Sequence, residues 1–234
     1  MLLKVTEVQH YTDTLFRFKT ERPNTFKFTA GEFTMIGMPD NDIMRAYSIT
    51  SGPYDDYLEF YSIKVPDGPL TSRLQKIQVG DEVEVGHKPT GTLTHANLEL
   101  SGDLWMLATG TGIAPFISLL RDPATYELFD YVRVLWSVRE QAELLAYDSF
   151  LRDLDIEYLP IVTQDPEWPF ENKRITTLIE EGLLINDAPE LNKVMICGSM
   201  PFNNDVKDLL IPNGWEEGNR KTAGTFVQER AFVS

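Results

Sequence analysis

The chain has 234 residues, 42% of them hydrophobic, which suffices for one large domain or two of about 100 residues each. Its formal net charge of −15 argues against nucleic-acid binding, which needs a basic face. No apolar stretch is long enough to span a bilayer and no signal peptide is evident, so we expect a cytoplasmic protein. One cysteine and three histidines offer no disulfide and no metal-ligand spacing, so any redox chemistry needs an organic cofactor.

The first hundred residues predict an antiparallel β-barrel. Short apolar or β-branched runs alternate with turns rich in glycine, proline and asparagine, which is typical of small barrels. The predicted strands are 3–8, 14–19, 33–38, 45–50, 57–65 and 82–86, with a short helix over 70–77.

Two segments of this barrel carry candidate flavin-binding chemistry. In Arg45–Ser48, an arginine suits a diphosphate, a tyrosine suits a planar ring, and a serine hydroxyl suits a ring nitrogen. The same tetrapeptide also fits an ordinary barrel strand with an exposed arginine. Thr71 and Ser72 follow a Pro-Asp-Gly-Pro turn, where they either cap a short helix or hold the flavin diphosphate.

From about residue 102, predicted strands alternate with helices, which favours a mainly parallel sheet covered on both faces. We therefore predict a barrel domain over 1–100 and an α/β domain over 101–234. The predicted strands are 104–108, 132–136, 158–163, 193–197 and 225–233, and the predicted helices are 116–121, 140–152, 175–181 and 202–210.

A glycine run, Gly110–Phe116, follows the first strand of the α/β domain. Gly110 and Gly112 let the backbone approach a ligand closely, and a helix N-terminus offers N–H groups to an anion. Pro115 suits the first helical turn, since no N–H partner is needed there. The run predicts a pyrophosphate cradle, with a purely structural turn as the alternative.

Two residues at later strand ends bear on the nicotinamide nucleotide. Cys197 lies at the edge where open α/β sheets bind ligands; it either packs inertly or lies near a nicotinamide, and we expect no covalent role. Arg139 follows the second strand, where an NAD enzyme usually carries an acidic residue. This favours a 2′-phosphate, with a solvated surface arginine as the alternative.

Six motifs in this order make the chain resemble the bacterial ferredoxin–NADP(H) reductases, FAD enzymes of the wider ferredoxin reductase family. The match covers nearly the whole chain and implies an FAD-binding β-barrel domain followed by an NADP(H)-binding α/β domain. The motifs are Arg45–Ser48, Phe60–Leu74, Lys88–Leu93, Leu107–Phe116, Val194–Ser199 and Glu229–Val233.

The resemblance assigns roles to individual residues. It implies FAD contacts from Arg45, Ala46, Tyr47, Ser48, Tyr61, Ile63, Leu70, Thr71 and Ser72. It implies contacts near the nicotinamide or the flavin from Thr111, Cys197, Gly198, Ser199, Glu229, Ala231 and Phe232, with Ala231 on the flavin face and Phe232 near an adenine. It adds Arg174 to Arg139 as a partner of the 2′-phosphate. Ser48, Cys197 and Glu229 are the candidate catalytic residues.

The implied activity is hydride transfer between NADP(H) and flavin, with single electrons passing to or from ferredoxin or flavodoxin. A flavin reductase or an oxygenase reductase component is the alternative within redox enzymes, and a non-catalytic nucleotide-binding module is the alternative outside them. Gln164 departs from the family, where an arginine is frequent, and this weakens the expected NADP preference. We expect a monomer without a metal, and a basic rim for an acidic carrier from Arg17, Lys19, Arg22, Lys27, Lys64 and Arg73.

Overall fold

The computed structural model describes residues 1–184 and 188–231, and these residues form two compact units. Unit 1 comprises Met1–Gly91 and Ala114–Asp122. Unit 2 comprises Thr92–Ile113 and Pro123–Ala231, apart from residues 185–187. The helix after the glycine run therefore belongs to unit 1, whereas the run's first residues belong to unit 2. The domain boundary at residues 100 and 101 stays a prediction.

Unit 1 is built on a six-stranded antiparallel sheet in the order β4-β3-β6-β1-β2-β5. The strands are β1 (Leu2–His10), β2 (Leu15–Glu21), β3 (Phe33–Met38), β4 (Asn41–Ser48), β5 (Tyr57–Ile63) and β6 (Glu82–Val85). Just beyond β4, the Thr50 N–H donates to the Glu59 carbonyl on β5 at 2.8 Å, which links the two ends of the sheet. The sheet thus curls into the antiparallel barrel that the sequence predicts.

The barrel core follows from the two-residue period of its strands. Phe16 and Phe18 on β2 point to the same face, and both are fully buried. The Phe18 ring lies 5.2 Å from that of Phe60 on the paired strand β5. Each such burial contributes roughly 1.5–3 kcal/mol relative to an exposed side chain.

Unit 2 contains a five-stranded parallel sheet in the order β11-β10-β7-β8-β9, as the strand–helix alternation predicts. Its central strand has a continuous apolar run that is buried on both faces. The strands are β7 (Asp103–Thr109), β8 (Val132–Val138), β9 (Glu157–Val162), β10 (Asn192–Gly198) and β11 (Phe226–Arg230).

Six α-helices are described, and four of them lie in unit 2. Unit 1 contains α1 (Thr71–Leu74) and α2 (Ala114–Leu120). Unit 2 contains α3 (Ala124–Leu128), α4 (Asp148–Arg152), α5 (Ile175–Glu180) and α6 (Met200–Leu210). Short 3₁₀ helices cover His95–Asn97, Gly110–Ile113, Gln141–Ala146 and Ile211–Asn213. Within the described ranges, no helix combines the length and the apolar character needed to cross a bilayer.

Several predicted element boundaries were wrong. The helix predicted over 70–77 is only Thr71–Leu74. The residues after it form turns in which each N–H donates to the carbonyl three residues earlier. The helix predicted over 140–152 divides at Tyr147, whose φ of −141° is not helical. The strand predicted over 45–50 runs from Asn41 to Ser48, and α3 was not predicted. The last strand ends at Arg230, and the rest of its predicted range lies largely outside the described residues.

Candidate functional site

The candidate flavin strand is β4, which pairs with β3 so that Arg45 lies opposite Ile36 and Tyr47 opposite Thr34. Arg45 is exposed, and its guanidinium donates to the adjacent Met44 carbonyl at 3.0 Å. Among the residues that the structure describes, no carboxylate pairs with it. The guanidinium therefore keeps most of its donors for an anionic ligand.

The Tyr47 ring packs against the barrel core, and its hydroxyl accepts a hydrogen bond from the Ser62 hydroxyl on β5 at 3.3 Å. Burial raises the pKa of the Tyr47 hydroxyl, while Ser62 and the Arg45 charge act in the opposite direction. The ring is thus held at the barrel wall as a neutral phenol. Ala46 and Ser48, its neighbours on the strand, are half-buried.

The start of α1 differs from the predicted cap. Leu70 is the N-cap residue and makes no side-chain capping bond. The Thr71 hydroxyl instead donates to the Val65 carbonyl at 3.0 Å, and the Ser72 N–H donates to Gly68 at 3.1 Å. These two donors close the preceding turn. The contact of Thr71 and Ser72 with a diphosphate stays a prediction.

Two other donors at this turn have no partner within residues 1–184 and 188–231, namely the Thr71 N–H and the Ser72 hydroxyl. Gly68 leaves no room for a side chain, because a Cβ there would lie 2.2 Å from the Thr71 hydroxyl oxygen. Together with Arg45, this donor set suits a diphosphate. The residues of unit 1 therefore fit FAD.

Three further predicted flavin contacts lie nearby in the chain but differ in exposure. Ile63, at the end of β5, is half-buried. Tyr61 is 4% exposed and meets the Tyr11 ring edge-on. Leu70 is 1% exposed and belongs to the barrel core, so its side chain serves packing.

Unit 2 has its topological switch point between β7 and β10, because the sheet grows from β7 through β8 on one side and through β10 on the other. Open parallel sheets bind ligands at the carboxyl ends of the strands at such a point. The residues that follow these two strands are the 3₁₀ turn Gly110–Ile113 and Ser199. The Ser199 hydroxyl caps α6 by accepting from the Phe202 N–H at 3.4 Å.

Both glycines of the run have a structural reason to be glycine or a partner within unit 2. Gly110 has a φ of +54°, which favours glycine, and its carbonyl accepts from the Trp136 indole at 2.9 Å. At Gly112 a Cβ would lie 2.1 Å from the Cys197 carbonyl oxygen, so glycine lets β10 approach closely, while the approach of a ligand stays a prediction. Thr111 between them is half-buried. The run still lies at the edge of the sheet where a nucleotide would bind.

Cys197 and Glu229 are direct neighbours on the paired strands β10 and β11. The Glu229 carboxylate accepts from the Thr92 N–H at 2.9 Å. Burial, and secondarily the Glu229 charge, raises the pKa of the Cys197 thiol well above its usual range. The thiol is therefore protonated near neutral pH, and the absence of a covalent role stays a prediction.

We predict that the native protein resists thiol alkylation. The thiolate is the reactive form, and in the native state Cys197 is both buried and protonated. Labelling with iodoacetamide should remain negligible as the pH rises from about 7 to 9, whereas a solvated thiol reacts faster over this range. The same protein unfolded in urea is the control and should take up one label. Rapid native labelling would show that the thiol is accessible.

Two hydrogen bonds attach the end of β11 to the carboxyl-end edge of the parallel sheet, where a nucleotide would bind. The Ala231 N–H donates to the Gly198 carbonyl at 2.9 Å, and the Asn203 side-chain amide donates to the Glu229 carbonyl at the same distance. Gly198 itself is fixed as glycine, because a Cβ there would lie 2.2 Å from the Thr109 hydroxyl. Phe232, predicted near an adenine, lies outside the described residues.

The two candidate phosphate arginines of unit 2 lie at loop positions and are both exposed. Arg139 directly follows β8, and its carbonyl accepts from the Gln164 N–H at 2.8 Å. Arg174 is the N-cap residue of α5. In the described part of the chain neither guanidinium forms an ion pair, so both are available to an anion.

Comparison with known proteins identifies the two halves of the chain. Residues 1–95 match the oxidoreductase FAD-binding domain family, and residues 106–208 match the oxidoreductase NAD-binding domain family. The flavodoxin/ferredoxin–NADP reductase of Rhodobacter capsulatus is 45% identical over 98% of this chain and 92% of the relative. The chain belongs to the ferredoxin/flavodoxin–NADP reductase family. The ferredoxin–NADP reductase of Pseudomonas aeruginosa, 42% identical over 98% of this chain and 96% of its own, agrees.

A solved structure of this reductase family has the same fold. The ferredoxin NADP+ reductase of Neisseria gonorrhoeae, crystallised with bound FAD and NADP, aligns with a TM-score of 0.92 at 30% identity. The alignment covers 99% of this chain and 98% of that one. It confirms the predicted fold class of an antiparallel barrel followed by a parallel α/β sheet.

The sequence did not predict two residues of this chain that hold the candidate catalytic residue Glu229 in place. Thr92 binds the Glu229 carboxylate and Asn203 binds the Glu229 carbonyl. These contacts join positions 137 and 26 residues apart, so no local pattern reveals them. Within the described ranges, no group of His, Cys, Asp and Glu side chains could hold a metal ion.

Proposed function

We propose that the protein is an FAD-dependent oxidoreductase that exchanges electrons between NADP(H) and ferredoxin or flavodoxin. The observation that carries this proposal is similarity over the full length, with 45% identity to a reductase of that name. The hydrogen-bond donors of unit 1 support FAD binding. The turns at the strand ends of unit 2 support binding of the nicotinamide nucleotide. When bound, FAD takes up hydride from the nicotinamide and releases its electrons singly.

In unit 1 the residues bind and orient. The Arg45 guanidinium would neutralise the diphosphate, and the Thr71 N–H and the Ser72 hydroxyl would donate hydrogen bonds to it. Tyr47, held by Ser62, offers a fixed neutral ring to the flavin. Ser48 follows Tyr47 on β4 and would offer its hydroxyl near the reactive ring nitrogen. Ala46, Tyr61, Ile63 and Leu70 complete the proposed contacts, Leu70 through its main chain.

In unit 2 the residues position the nicotinamide end. Thr111 follows β7, Gly198 and Ser199 lie where β10 ends, and Ala231 is tied to Gly198. Cys197 stays protonated and gives the site a small, uncharged boundary. Glu229 is the one carboxylate among the proposed site residues, and the Thr92 N–H holds its orientation.

Five of the six cations expected to form a basic rim are engaged within the chain. Arg17 and Lys19 pair with Glu7, and Arg73 pairs with Asp40. Arg22 donates to four main-chain carbonyls, and Lys64 donates to one. The three ion-paired side chains therefore offer less charge to an acidic carrier than the sequence suggested, whereas Arg22 and Lys64 keep theirs.

Two measurements test the proposal. The purified protein should be yellow, and NADPH added without oxygen should bleach the flavin absorbance. Reduction of cytochrome c should then depend on added ferredoxin or flavodoxin, which separates this function from a flavin reductase. A colourless protein that binds no FAD on reconstitution would refute the proposal. The monomeric state, the cytoplasmic location and the absence of nucleic-acid binding stay predictions, and size-exclusion chromatography tests the first.

Replacing Arg139 or Arg174 by alanine should raise KM for NADPH by about tenfold, because a charge-assisted hydrogen bond contributes about 1.5–3 kcal/mol. KM for NADH, which lacks the 2′-phosphate, should change little. Steady-state kinetics with both nucleotides provides the measurement, and a lysine at either position should restore part of the preference. Equal effects on the two nucleotides would contradict the phosphate assignment.

A further inference from the structure

Asn203 occupies a position in α6 where the helical pattern calls for an apolar residue. It shares the buried face of the helix with Val206 and Leu210, which belong to the apolar core of unit 2. Asn203 itself is 1% exposed. An asparagine in this environment costs free energy unless both ends of its side-chain amide find hydrogen-bond partners.

Only one end of the Asn203 amide has a partner in the part of the chain that the structure describes. The nitrogen donates to the Glu229 carbonyl at 2.9 Å, whereas the oxygen is buried and accepts no hydrogen bond. A buried acceptor without a donor costs at least as much free energy as one hydrogen bond contributes. A leucine, which has the same branched shape, avoids this cost. Stability therefore does not account for the asparagine.

The bond from Asn203 fixes the end of β11, the strand that carries Glu229. β11 is an edge strand of the parallel sheet, and at Glu229 it pairs with β10. Thr92 adds two bonds, because its hydroxyl donates to the Gln228 carbonyl and its N–H donates to the Glu229 carboxylate, both at 2.9 Å. Asn203 and Thr92 thus hold both the main chain and the carboxylate of Glu229.

We propose that Asn203 is a positioning residue, which keeps the Glu229 carboxylate in its working place and is retained at a cost in stability. This inference rests on the proposed function, in which Glu229 is the one carboxylate among the site residues. Asn203 is buried, so it acts through Glu229 and touches no nucleotide. Thr92 acts on the same carboxylate. Loss of either side chain slows hydride transfer and leaves nucleotide affinity unchanged.

The test combines stopped-flow bleaching of the flavin by NADPH with thermal unfolding, both on the FAD-loaded protein. Asn203→Leu should lower the saturating bleaching rate about tenfold, because small displacements at a reacting centre are costly. The NADPH concentration that gives half of that rate should change little. The thermal midpoint should equal or exceed that of the wild type, because the buried oxygen without a donor is gone. A purely structural role would lower rate and midpoint together.

Asn192→Leu provides the matched control. Asn192 is a buried asparagine at the start of β10, roughly 20 Å along that strand from Gly198. Its oxygen accepts from the Trp105 indole at 3.0 Å, and its nitrogen donates to the Ala188 carbonyl at 3.2 Å. Because both ends of this amide are paired, the variant should lose stability. Its bleaching rate should remain that of the wild type.

A double-mutant cycle tests whether Asn203 acts through Glu229. In a Glu229→Ala background, Asn203→Leu should lower the bleaching rate no further. Two losses that multiply, a wild-type rate in Asn203→Leu, or a midpoint that falls with the rate would each show that the inference is wrong. The proposed function would stand in all three cases. If NADPH does not bleach the flavin of the wild type, the proposed function fails as well.

Variants of Thr92 test the same role without touching the core. Thr92→Val removes the hydroxyl and keeps the shape, so the end of β11 loses one attachment and the bleaching rate should fall. Thr92→Ser keeps the hydroxyl and should retain the wild-type rate. A valine variant as fast as the serine variant would contradict the positioning of Glu229 by these side chains.

Discussion

Replacement of Arg45 by alanine is expected to yield a protein that is isolated with little FAD. The guanidinium is exposed, has no carboxylate partner within the described ranges, and lies on the strand that holds Tyr47. A charge-assisted hydrogen bond contributes about 1.5–3 kcal/mol, and a bidentate arginine contact makes two of them. We therefore expect FAD affinity to fall about 100-fold. The flavin-to-protein ratio after purification and the dissociation constant on reconstitution measure it.

Controls separate lost binding from lost folding. Because the Arg45 guanidinium makes, within the described part of the chain, only one hydrogen bond, to the adjacent Met44, the thermal midpoint of the apoprotein should be unchanged by Arg45→Ala. Lys27→Ala removes another exposed cation of unit 1 and should retain full flavin. Arg45→Lys keeps the charge without the planar fork and should bind FAD with intermediate affinity. An alanine variant with wild-type FAD affinity would remove Arg45 from the flavin site.

The features that the sequence predicts well are those encoded by local periodicity. The alternation in β2 and β5 predicts the barrel strands, because a two-residue period places Phe18 and Phe60 on the core face. The unbroken apolar run of β7 predicts a strand buried on both faces. Helix ends were predicted less well, since the break at Tyr147 depends on a backbone conformation that no residue type requires.

The features that the sequence does not predict depend on contacts between distant segments. Gly112 reads as a ligand-binding glycine, yet its missing Cβ makes room for the Cys197 carbonyl. Thr71 reads as a cap or a phosphate donor, yet its hydroxyl closes the turn at Val65. In both cases the residue type indicated what the position can do, but the sequence did not reveal which group it contacts. Residue pattern limits what a position can do, and tertiary structure decides which partner it meets.

Glu59 illustrates the same limit inside unit 1. Glu59 lies between Leu58 and Phe60 on β5, and its side chain is fully buried. Arg121, just after α2, brings its guanidinium to 3.2 Å from the Glu59 carboxylate and also donates to the Thr50 carbonyl at 3.0 Å. Arg17 and Lys19 lie 3.6 and 3.9 Å from the second carboxylate oxygen. A buried charge is thus compensated by a helix that enters unit 1 from a later part of the chain.

Arg121→Ala should therefore lower the free energy of unfolding of unit 1 by about 3 kcal/mol. Removing one partner of a buried ion pair costs about 3–5 kcal/mol, because the other charge is left without compensation. The lower end applies because Arg17 and Lys19 remain near Glu59. The Ser118 hydroxyl still donates to the Ser51 carbonyl at 2.7 Å, so α2 keeps one attachment to the barrel.

Urea unfolding should be followed by circular dichroism and by flavin release, since all four tryptophans lie in unit 2 and do not report on unit 1. Arg152→Ala provides the comparison, because it removes an arginine from an exposed i, i+4 pair with Asp148 on α4. That change should cost only about 0.3–0.5 kcal/mol. If the two variants lose the same stability, the buried Glu59 carboxylate does not need Arg121, and the cations of β2 alone compensate its charge.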